Sequence, residues 1–186
     1  MRKIVMFNRV TLDGFFAGTH DEIDWFVQDP EVDKTLHDKM NPDTVLFGGR
    51  TFEMFEDFWP HVAMDPNAHP GQKMMADELT NMTKIVFSKS LKNTDWANTE
   101  IHHDNLIEEI KKLKKGDGAD IVIFGSGTIV QQLAEQGLID EYFFVVTLVV
   151  LGAGKLLFDG VKRSGMKLLD TKSFNSGNVL LHYKKA

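Results

Sequence analysis

Residues 44–55 read TVLFGGRTFEMF, and residues 120–133 read DIVIFGSGTIVQQL. In each segment an apolar run of strand character ends at a glycine pair beside a hydroxyl residue, and apolar residues then continue at helical spacing. A helix N terminus presents unpaired backbone N–H groups and the positive end of the helix dipole. Glycine just before such a helix lets a phosphate approach the backbone. The repeated pattern therefore predicts two phosphate-binding turns, one at the end of each strand.

The second turn contains a G-x-G pattern, but it does not indicate a standard Rossmann domain. Residues 125–130 read GSGTIV, late in the chain, and no acidic ribose ligand stands in a matching place. Each turn alone is also compatible with a tight strand-to-helix connection that binds nothing. The two turns together favour a dinucleotide site.

Arg50 begins the helix that follows the first turn. A guanidinium at a helix N terminus opposes the helix dipole, so stability alone does not explain it. With Thr51 as a second donor it suits a phosphate monoester, and an arginine is the expected reader of the 2′-phosphate of NADP. The alternative is a surface arginine paired with Glu53 or Glu56.

Composition narrows the classes of function. The 186 residues are 42% hydrophobic and 26% charged, which predicts a single globular domain over residues 1–186. The net charge of −6 argues against nucleic-acid binding, and the absence of cysteine excludes disulfides and thiolate ligands. The adjacent His102 and His103 point to opposite faces of a strand, so no metal site is expected. No apolar run approaches the roughly 20 residues of a membrane span, and no signal peptide is recognisable, so we expect no membrane contact and a cytoplasmic protein.

Strand and helix patterns alternate for two thirds of the chain, and strands alone follow. A helix is predicted over residues 52–58, closed by Trp59 and Pro60, and another over residues 104–115 with Asp104 as its N-cap. The apolar run at residues 142–151 is expected in the centre of the sheet or in a subunit interface. These patterns predict an α/β fold: a mostly parallel mixed sheet, flanked by helices, with a C-terminal antiparallel hairpin whose tip is residues 175–178.

Five motifs in order along the chain resemble one superfamily. They are VTLDGFFAG (residues 10–18) followed by IDW (23–25), FGGRTFEMF (47–55) with Trp59-Pro60, VFSKS (86–90), IFGSGTIVQQL (123–133) and LGAGKLLF (151–158). Together they resemble the dihydrofolate-reductase-like superfamily, and more closely the reductase domain of riboflavin biosynthesis and its stand-alone bacterial relatives. The resemblance implies the dihydrofolate-reductase-like fold, bound NADPH and a homodimer.

The resemblance also implies positions for the cofactor along the carboxyl edge of the sheet. Phe16 and Ala17 would approach the nicotinamide, while Ser88 and Lys89 would lie by the adenosine ribose and its 2′-phosphate. The remaining cofactor-binding residues would be Gly49, Arg50 and Thr51 at the first turn, and Gly125, Ser126, Gly127, Thr128 and Ile129 around the pyrophosphate. The sequence does not choose between Arg50 and Lys89 as reader of the 2′-phosphate.

Hydride transfer also needs a proton source and a place for the acceptor. Asp13 is the candidate acid, although Leu-Asp-Gly is also a good turn in which the aspartate has a structural role. Dihydrofolate reductases carry their acid on the helix after the first loop, where Asp29, Glu31 and Asp33 are not distinguished by the sequence. Trp25 and Phe52 are candidate walls of a pocket for a flat heterocycle, or alternatively core residues.

The sequence therefore predicts an NADPH-dependent reductase of a small heterocyclic substrate. It would resemble 5-amino-6-(5-phosphoribosylamino)uracil reductase or dihydrofolate reductase. A non-catalytic nucleotide-binding module on the same fold is the alternative, and a flavin-using reductase is a third possibility.

Overall fold

A computed structural model describes residues 1–186 as ten strands and five helices. The strands are β1 (Ile4–Thr11), β2 (Phe15–Ala17), β3 (Pro42–Gly48), β4 (Thr83–Phe87), β5 (Thr99–His102), β6 (Asp120–Phe124), β7 (Glu141–Thr147), β8 (Lys155–Leu156), β9 (Met166–Ser173) and β10 (Val179–Lys185). The helices are α1 (Pro30–Lys39), α2 (Gly49–Met64), α3 (Pro70–Asn81), α4 (Leu106–Lys115) and α5 (Gly127–Glu135). None of the helices is both long and apolar enough to cross a membrane.

Eight of the strands form one sheet in the order β5-β4-β3-β6-β1-β7-β10-β9. The first six strands in this order are parallel, and β10 and β9 pair antiparallel at the end. The predicted mixed sheet with a C-terminal hairpin is therefore confirmed. The apolar strand β7 lies between β1 and β10, which confirms its predicted central position. The carboxyl edge, where the six parallel strands end, is where parallel α/β sheets place their ligands.

Helices cover both faces of this sheet because β1 is apolar on both sides. Ile4 and Met6 face α4 and α5 in one core cluster, which includes Ile110 and Leu133. On the opposite face, α1 packs against β1, β7 and β10, and α2 and α3 pack against β3, β4 and β6. Phe7 of β1 contacts the clusters under both α1 and α2, so a cleft between these two helices has β1 as its floor.

Two predicted boundaries were wrong. Helix α2 does not end at Trp59-Pro60 but continues to Met64, with Pro60 inside it. Aromatic packing of Phe55 against Trp59, with ring centroids 6.0 Å apart, stabilises the helix across the position where proline removes a donor. Helix α4 begins at Leu106, with Asn105 rather than Asp104 at the cap position and no side-chain hydrogen bond to the cap.

Lys84 of β4 is a fully buried cation that fixes the end of α3. Its ammonium group donates to the carbonyls of Leu79 (2.8 Å) and Met82 (2.9 Å) and lies 4.9 Å from the ring centre of Trp96. Burial lowers the pKa of Lys84 to about 8. The lysine thereby satisfies carbonyls that the helix end leaves free, and it fixes β4 at the end remote from the carboxyl edge.

Candidate functional site

The two glycine turns lie side by side at the carboxyl edge, because β3 and β6 are neighbours in the sheet. The Gly48 N–H donates to Ser126 Oγ at 2.9 Å, and the Ser126 N–H donates to Thr51 Oγ1 at 3.2 Å. Gly125 and Ser126 have φ values of 56° and 54°, in the left-handed region. This backbone turns the Ser126 side chain and N–H toward the first turn, so each turn supplies a hydrogen-bond acceptor to the other.

The helices that begin at these turns have no side-chain caps. Neither α2 nor α5 has a side-chain acceptor at its first N–H groups. Ser126 is buried and its hydroxyl oxygen accepts from the Gly48 N–H, so its side chain joins the two turns, and its place by the pyrophosphate stays a prediction. Gly127 and Thr128 form the uncapped N terminus of α5, and their N–H groups are suited to bind an anion.

Two glycines permit close approaches that build the site. A Cβ on Gly49 would lie 2.5 Å from Ser88 Oγ, so only glycine lets α2 begin against the end of β4. A Cβ on Gly127 would lie 2.7 Å from Phe16 Cζ. The structure therefore brings Phe16 of the first loop (residues 12–29, containing β2) onto the second turn, as the resemblance implies for residues beside a nicotinamide. Ala17 is buried next to it.

A cleft of about 210 Å³ extends from the second turn to the ends of β4 and β5. Its lining includes the predicted Ser88, Lys89, Thr128 and Ile129, together with Phe87, His103, Asp104, Asn105, Leu106 and Gln132. His103 was not predicted; its Nδ1 lies 2.8 Å from the Ser88 carbonyl oxygen. The left-handed Asn105 was also missed, and its position just before α4 was the only available signal. Lys89 is an exposed cationic side chain in the lining of this cleft.

Arg50 is paired, but with a partner that the sequence did not suggest. Its Nε lies 2.8 Å from Oδ2 of Asp21 in the first loop, and Lys155 of β8 binds the other oxygen of the same carboxylate. The expectation of pairing with Glu53 or Glu56 is therefore wrong. The Arg50 side chain remains 78% exposed at the start of α2, where a phosphate can reach it.

The cleft between α1 and α2 is bounded by aromatic rings. Thr51 faces β6, and one turn later Phe55 stacks on Phe124 with ring centroids 6.0 Å apart. Helical spacing puts the half-exposed Phe58 on the same side of α2. Phe52 is fully buried against Phe47 and Trp96, so the prediction that it lines a pocket is wrong. We call this space the substrate cleft.

Residues of the first loop complete the mouth of the substrate cleft. Trp25 is half-buried, its Nε1 donates to the Glu22 carbonyl at 3.1 Å, and its ring meets Phe26 edge-on. The Arg9 guanidinium lies 5.7 Å from the centre of the Phe26 ring. Trp25 is therefore part of the loop that covers the cleft. Phe26, which was not predicted, is the ring of this loop that reaches Arg9 on the cleft floor.

An ion pair lies at the carboxyl end of this floor. Arg9 of β1 is almost fully buried and donates to Asp33 Oδ1 on α1 at 3.0 Å and to the Val27 carbonyl at 3.3 Å. Burial raises the pKa of Asp33 above its usual value, and the Arg9 charge opposes that shift. About half of the Asp33 side chain remains exposed. Asp33 is thus an accessible carboxyl group that retains its proton to higher pH than an ordinary aspartate.

The structure gives Asp13 a different role from the predicted one. Its carboxylate accepts hydrogen bonds from Thr11 Oγ1 (2.6 Å), from the Gly152 N–H (2.7 Å) and from the Leu151 N–H (3.2 Å). The Thr11 bond is the main reason that the pKa of Asp13 lies below its usual value. A carboxylate held by three donors is a poor acid, so Asp13 fastens the first loop to residues 151–152.

The other two acidic candidates also have structural roles. Asp29 caps α1 through the Glu31 N–H at 2.8 Å and accepts from the Ser176 hydroxyl at the hairpin tip. Glu31 pairs with Lys172 of β9 at 2.9 Å, outside the substrate cleft. Of the three carboxylates that the sequence did not distinguish, only Asp33 faces the cleft floor.

A larger cavity, of about 910 Å³, lies elsewhere, between the end of α1 and α3. It includes Pro42 at the start of β3, so it opens toward the amino edge of the sheet, away from both glycine turns. No group of three or more histidine, aspartate or glutamate side chains is placed to hold a metal ion. The turns, the Arg50 cation and the Asp33 carboxyl group therefore define the candidate site at the carboxyl edge.

Comparison with known families agrees with this geometry. The model of the RibD C-terminal domain matches residues 2–181, nearly the whole chain. The chain belongs to the RibD C-terminal domain family. Its resemblance to the reductase domain of riboflavin biosynthesis is thereby confirmed.

Individual relatives of this RibD C-terminal domain extend the comparison. The Bacillus subtilis (strain 168) protein YyaP is 36% identical over 184 residues, covering 98% of this chain and 94% of YyaP. The Thermotoga maritima diaminohydroxyphosphoribosylaminopyrimidine deaminase/5-amino-6-(5-phosphoribosylamino)uracil reductase superposes with a TM-score of 0.69 at 17% identity, over 100% of this chain and 57% of that one. Dihydrofolate reductase from Enterococcus faecalis, in complex with NADP(H), superposes with a TM-score of 0.62 at 14% identity, over 98% and 96% of the two chains. These likenesses show the dihydrofolate-reductase-like fold.

Replacing the two glycines of the first turn separately tests the close approach of α2 to β4. Gly49→Ala should lower the free energy of unfolding by about 1–3 kcal/mol, because its Cβ would overlap the Ser88 side chain. Gly48→Ala is the matched control, since its Cβ would have no neighbour closer than 3.5 Å. Urea unfolding measures both changes. Equal effects of the two substitutions would contradict the steric assignment.

Proposed function

We propose that this protein is an NADPH-dependent reductase of a small, flat heterocyclic substrate. The observation that carries the proposal is the pair of hydrogen-bonded glycine turns, with two uncapped helices beside an aromatic cleft that contains a protonatable carboxyl group. Membership of a family whose structural neighbours include two named reductases supports it.

The residues at the carboxyl edge fit the cofactor. The open end of α5 at Gly127 and Thr128 suits the pyrophosphate, and Arg50 and Lys89 are two exposed cations available for a 2′-phosphate. When bound, NADPH supplies the hydride. The chain's part is to hold the phosphates, to keep Phe16 and the first loop against the second turn, and to present the substrate cleft beside it.

Asp33 replaces Asp13 as the proposed proton source. It is open to the substrate cleft, its pKa is raised by burial, and Arg9 fixes its orientation. A carboxyl group that keeps its proton to higher pH than an ordinary aspartate matches the requirement of an acceptor that gains a hydride and then a proton. Asp33 also favours a reductase over the alternative of a non-catalytic nucleotide-binding module. Such a module would not need a carboxyl group with a raised pKa in the cleft.

The substrate cleft favours an acceptor without phosphate. Phe26, Phe55 and Phe58 offer flat apolar walls, and Arg9 is the one strong base of the cleft floor. Its guanidinium is already bonded to Asp33 and to the Val27 carbonyl. A substrate phosphate would therefore meet Asp33 without a free cation to balance it. We infer that the acceptor is neutral or cationic, unlike the phosphoribosyl substrate named for the Thermotoga enzyme.

We also propose that the protein is a homodimer through the uncovered face of β7, β10 and β9. Phe144, Leu181, Tyr183 and Leu168 adjoin on this face by strand register and are half-buried or exposed, while α1 covers the opposite face. Strand β9 is the free edge of the sheet, and most of its residues are exposed. The chain carries a net charge of −6, and this apolar face lets two copies meet without opposing acidic groups.

A titration of nicotinamide fluorescence with NADPH and with NADH tests the cofactor assignment. We expect the wild-type protein to prefer NADPH. Arg50→Ala or Lys89→Ala, whichever residue reads the 2′-phosphate, should weaken NADPH by about 10- to 100-fold and leave NADH nearly unchanged. Parallel losses for both cofactors in both variants would refute a 2′-phosphate role, and absence of any binding would refute the reductase function.

Asp33→Asn keeps the shape and the contact with Arg9 but removes the proton. With ribosylaminouracil as acceptor, NADPH oxidation should fall by about 100-fold or more, while the affinity for NADPH stays the same. The wild-type rate should fall as the pH rises through the raised pKa of Asp33, and the residual rate of the variant should lack this dependence. Glu31→Gln, on the same helix but outside the cleft, is the control. The 5′-phosphorylated ribosylaminouracil should be the poorer acceptor.

The dimer is tested by light scattering after size-exclusion chromatography. The wild-type protein should have twice the mass of one chain, and Leu168→Asp should have the mass of a monomer with unchanged unfolding. The Leu168 side chain is 48% exposed, so the substitution does not disturb the core. Met64→Asp, at a site that is 74% exposed on the end of α2, should remain dimeric. A monomeric wild-type protein would overturn the assignment.

A further inference from the structure

Asp21 in the first loop lies between two cations that belong to different elements. Lys155 of β8 donates to its Oδ1, and Nε of Arg50, at the start of α2, lies 2.8 Å from its Oδ2. Oδ2 is buried and accepts no aligned hydrogen bond. One carboxylate therefore neutralises the cation of the first glycine turn and joins three segments of the carboxyl edge.

The backbone around Asp21 is built to hold this position. The Gly18 N–H donates to the Glu22 carbonyl at 2.9 Å and closes a tight turn with Asp21 at φ 71°. The Glu22 carboxylate closes the same turn by accepting from the His20 N–H at 2.8 Å. Aspartate is among the few residues that adopt a left-handed backbone at small cost. The Asp21 carboxylate is thus held in place by its own turn.

The ion pair with Arg50 is weak enough to be exchanged. The Arg50 side chain is 78% exposed and that of Asp21 is 31% exposed. Ion pairs in such positions contribute little to stability. A phosphate monoester carries a charge of about −1.5 to −2 and can bind a guanidinium through two hydrogen bonds. A phosphate that reaches Arg50 therefore binds the guanidinium more strongly than the Asp21 carboxylate does.

We propose that Asp21 competes with a phosphate of the nucleotide for Arg50. Binding then transfers Arg50 from Asp21 to the phosphate, while Lys155 retains Asp21 and keeps the first loop attached to β8. Asp21 is a positioning residue that sets how tightly, and for which nucleotide, Arg50 is available. The inference rests on the proposed function. Asp21 lowers the affinity of Arg50 for the phosphate, and it keeps Arg50 and the first loop ordered when no nucleotide is bound.

The test compares Asp21→Asn with the wild-type protein in binding NADPH, NADH and adenosine 2′,5′-bisphosphate, measured by calorimetry. Removal of the competing charge should tighten binding of the phosphate-bearing ligand by about two- to fivefold, the effect of one partly exposed ion pair. Asp24→Asn is the matched control: it removes the same charge from the same loop, and Asp24 is exposed. Its affinities should stay close to those of the wild-type protein.

Asp21→Gly guards against a misfolded variant, because glycine adopts φ 71° without strain. It should show the same gain as Asp21→Asn. In an Arg50→Ala background neither substitution should tighten binding, because the competition acts through Arg50. A gain that persists without Arg50, or one that Asp24→Asn reproduces, would overturn the proposal.

The pattern across ligands identifies the phosphate. A gain for NADPH and the bisphosphate but not for NADH supports competition with the 2′-phosphate, and equal gains for NADPH and NADH support competition with the pyrophosphate. Binding by the wild-type protein with no gain in either Asp21 variant overturns the role of Asp21 and leaves the proposed function intact. No binding by any of the proteins overturns both.

Discussion

The site depends on the reciprocal hydrogen bonds between the two glycine turns. The Gly48 N–H bonds to the Ser126 hydroxyl, and the Ser126 N–H bonds to the Thr51 hydroxyl. These bonds satisfy polar groups where two strands leave the sheet, and they fix the starts of α2 and α5 relative to each other. Because the serine must turn back toward the first turn, it adopts a left-handed backbone. The helix N termini consequently converge on one place without a side-chain cap, and an anion there completes what the protein leaves open.

Local patterns in the sequence were sufficient to predict the fold. Apolar strands, glycine turns and helical spacing act over a few residues, so the alternation of β3, α2, β6 and α5 could be read directly. The function of Ser126 could not, because its hydroxyl bonds to a residue 78 positions away. The end of α2 was missed for a related reason. Proline is a local signal for termination, and the aromatic packing that carries the helix past Pro60 is a tertiary effect.

The site residues show the same division. Residues that act through the backbone, such as Gly49 and Gly127, were predicted because glycine itself is the signal, and each proves to have another side chain where its Cβ would lie. Side chains that act through partners far away in the sequence were not predicted correctly. Asp13 is bound by residues 151–152, and Phe52 is fully buried against Phe47 and Trp96. The sequence gives residue types at these positions, but only the packing decides which way they point.

Charge divides the carboxyl edge into two halves that the first loop connects. On the side of the glycine turns the cations Arg50 and Lys89 are exposed, whereas on the floor beside α1 the Arg9 side chain is buried and paired with Asp33. A ligand with several phosphates would therefore be favoured on the side of the glycine turns. The first loop contacts both halves, through Asp21 at Arg50 and Phe26 at Arg9. The first loop therefore connects the two halves of the carboxyl edge within one short segment.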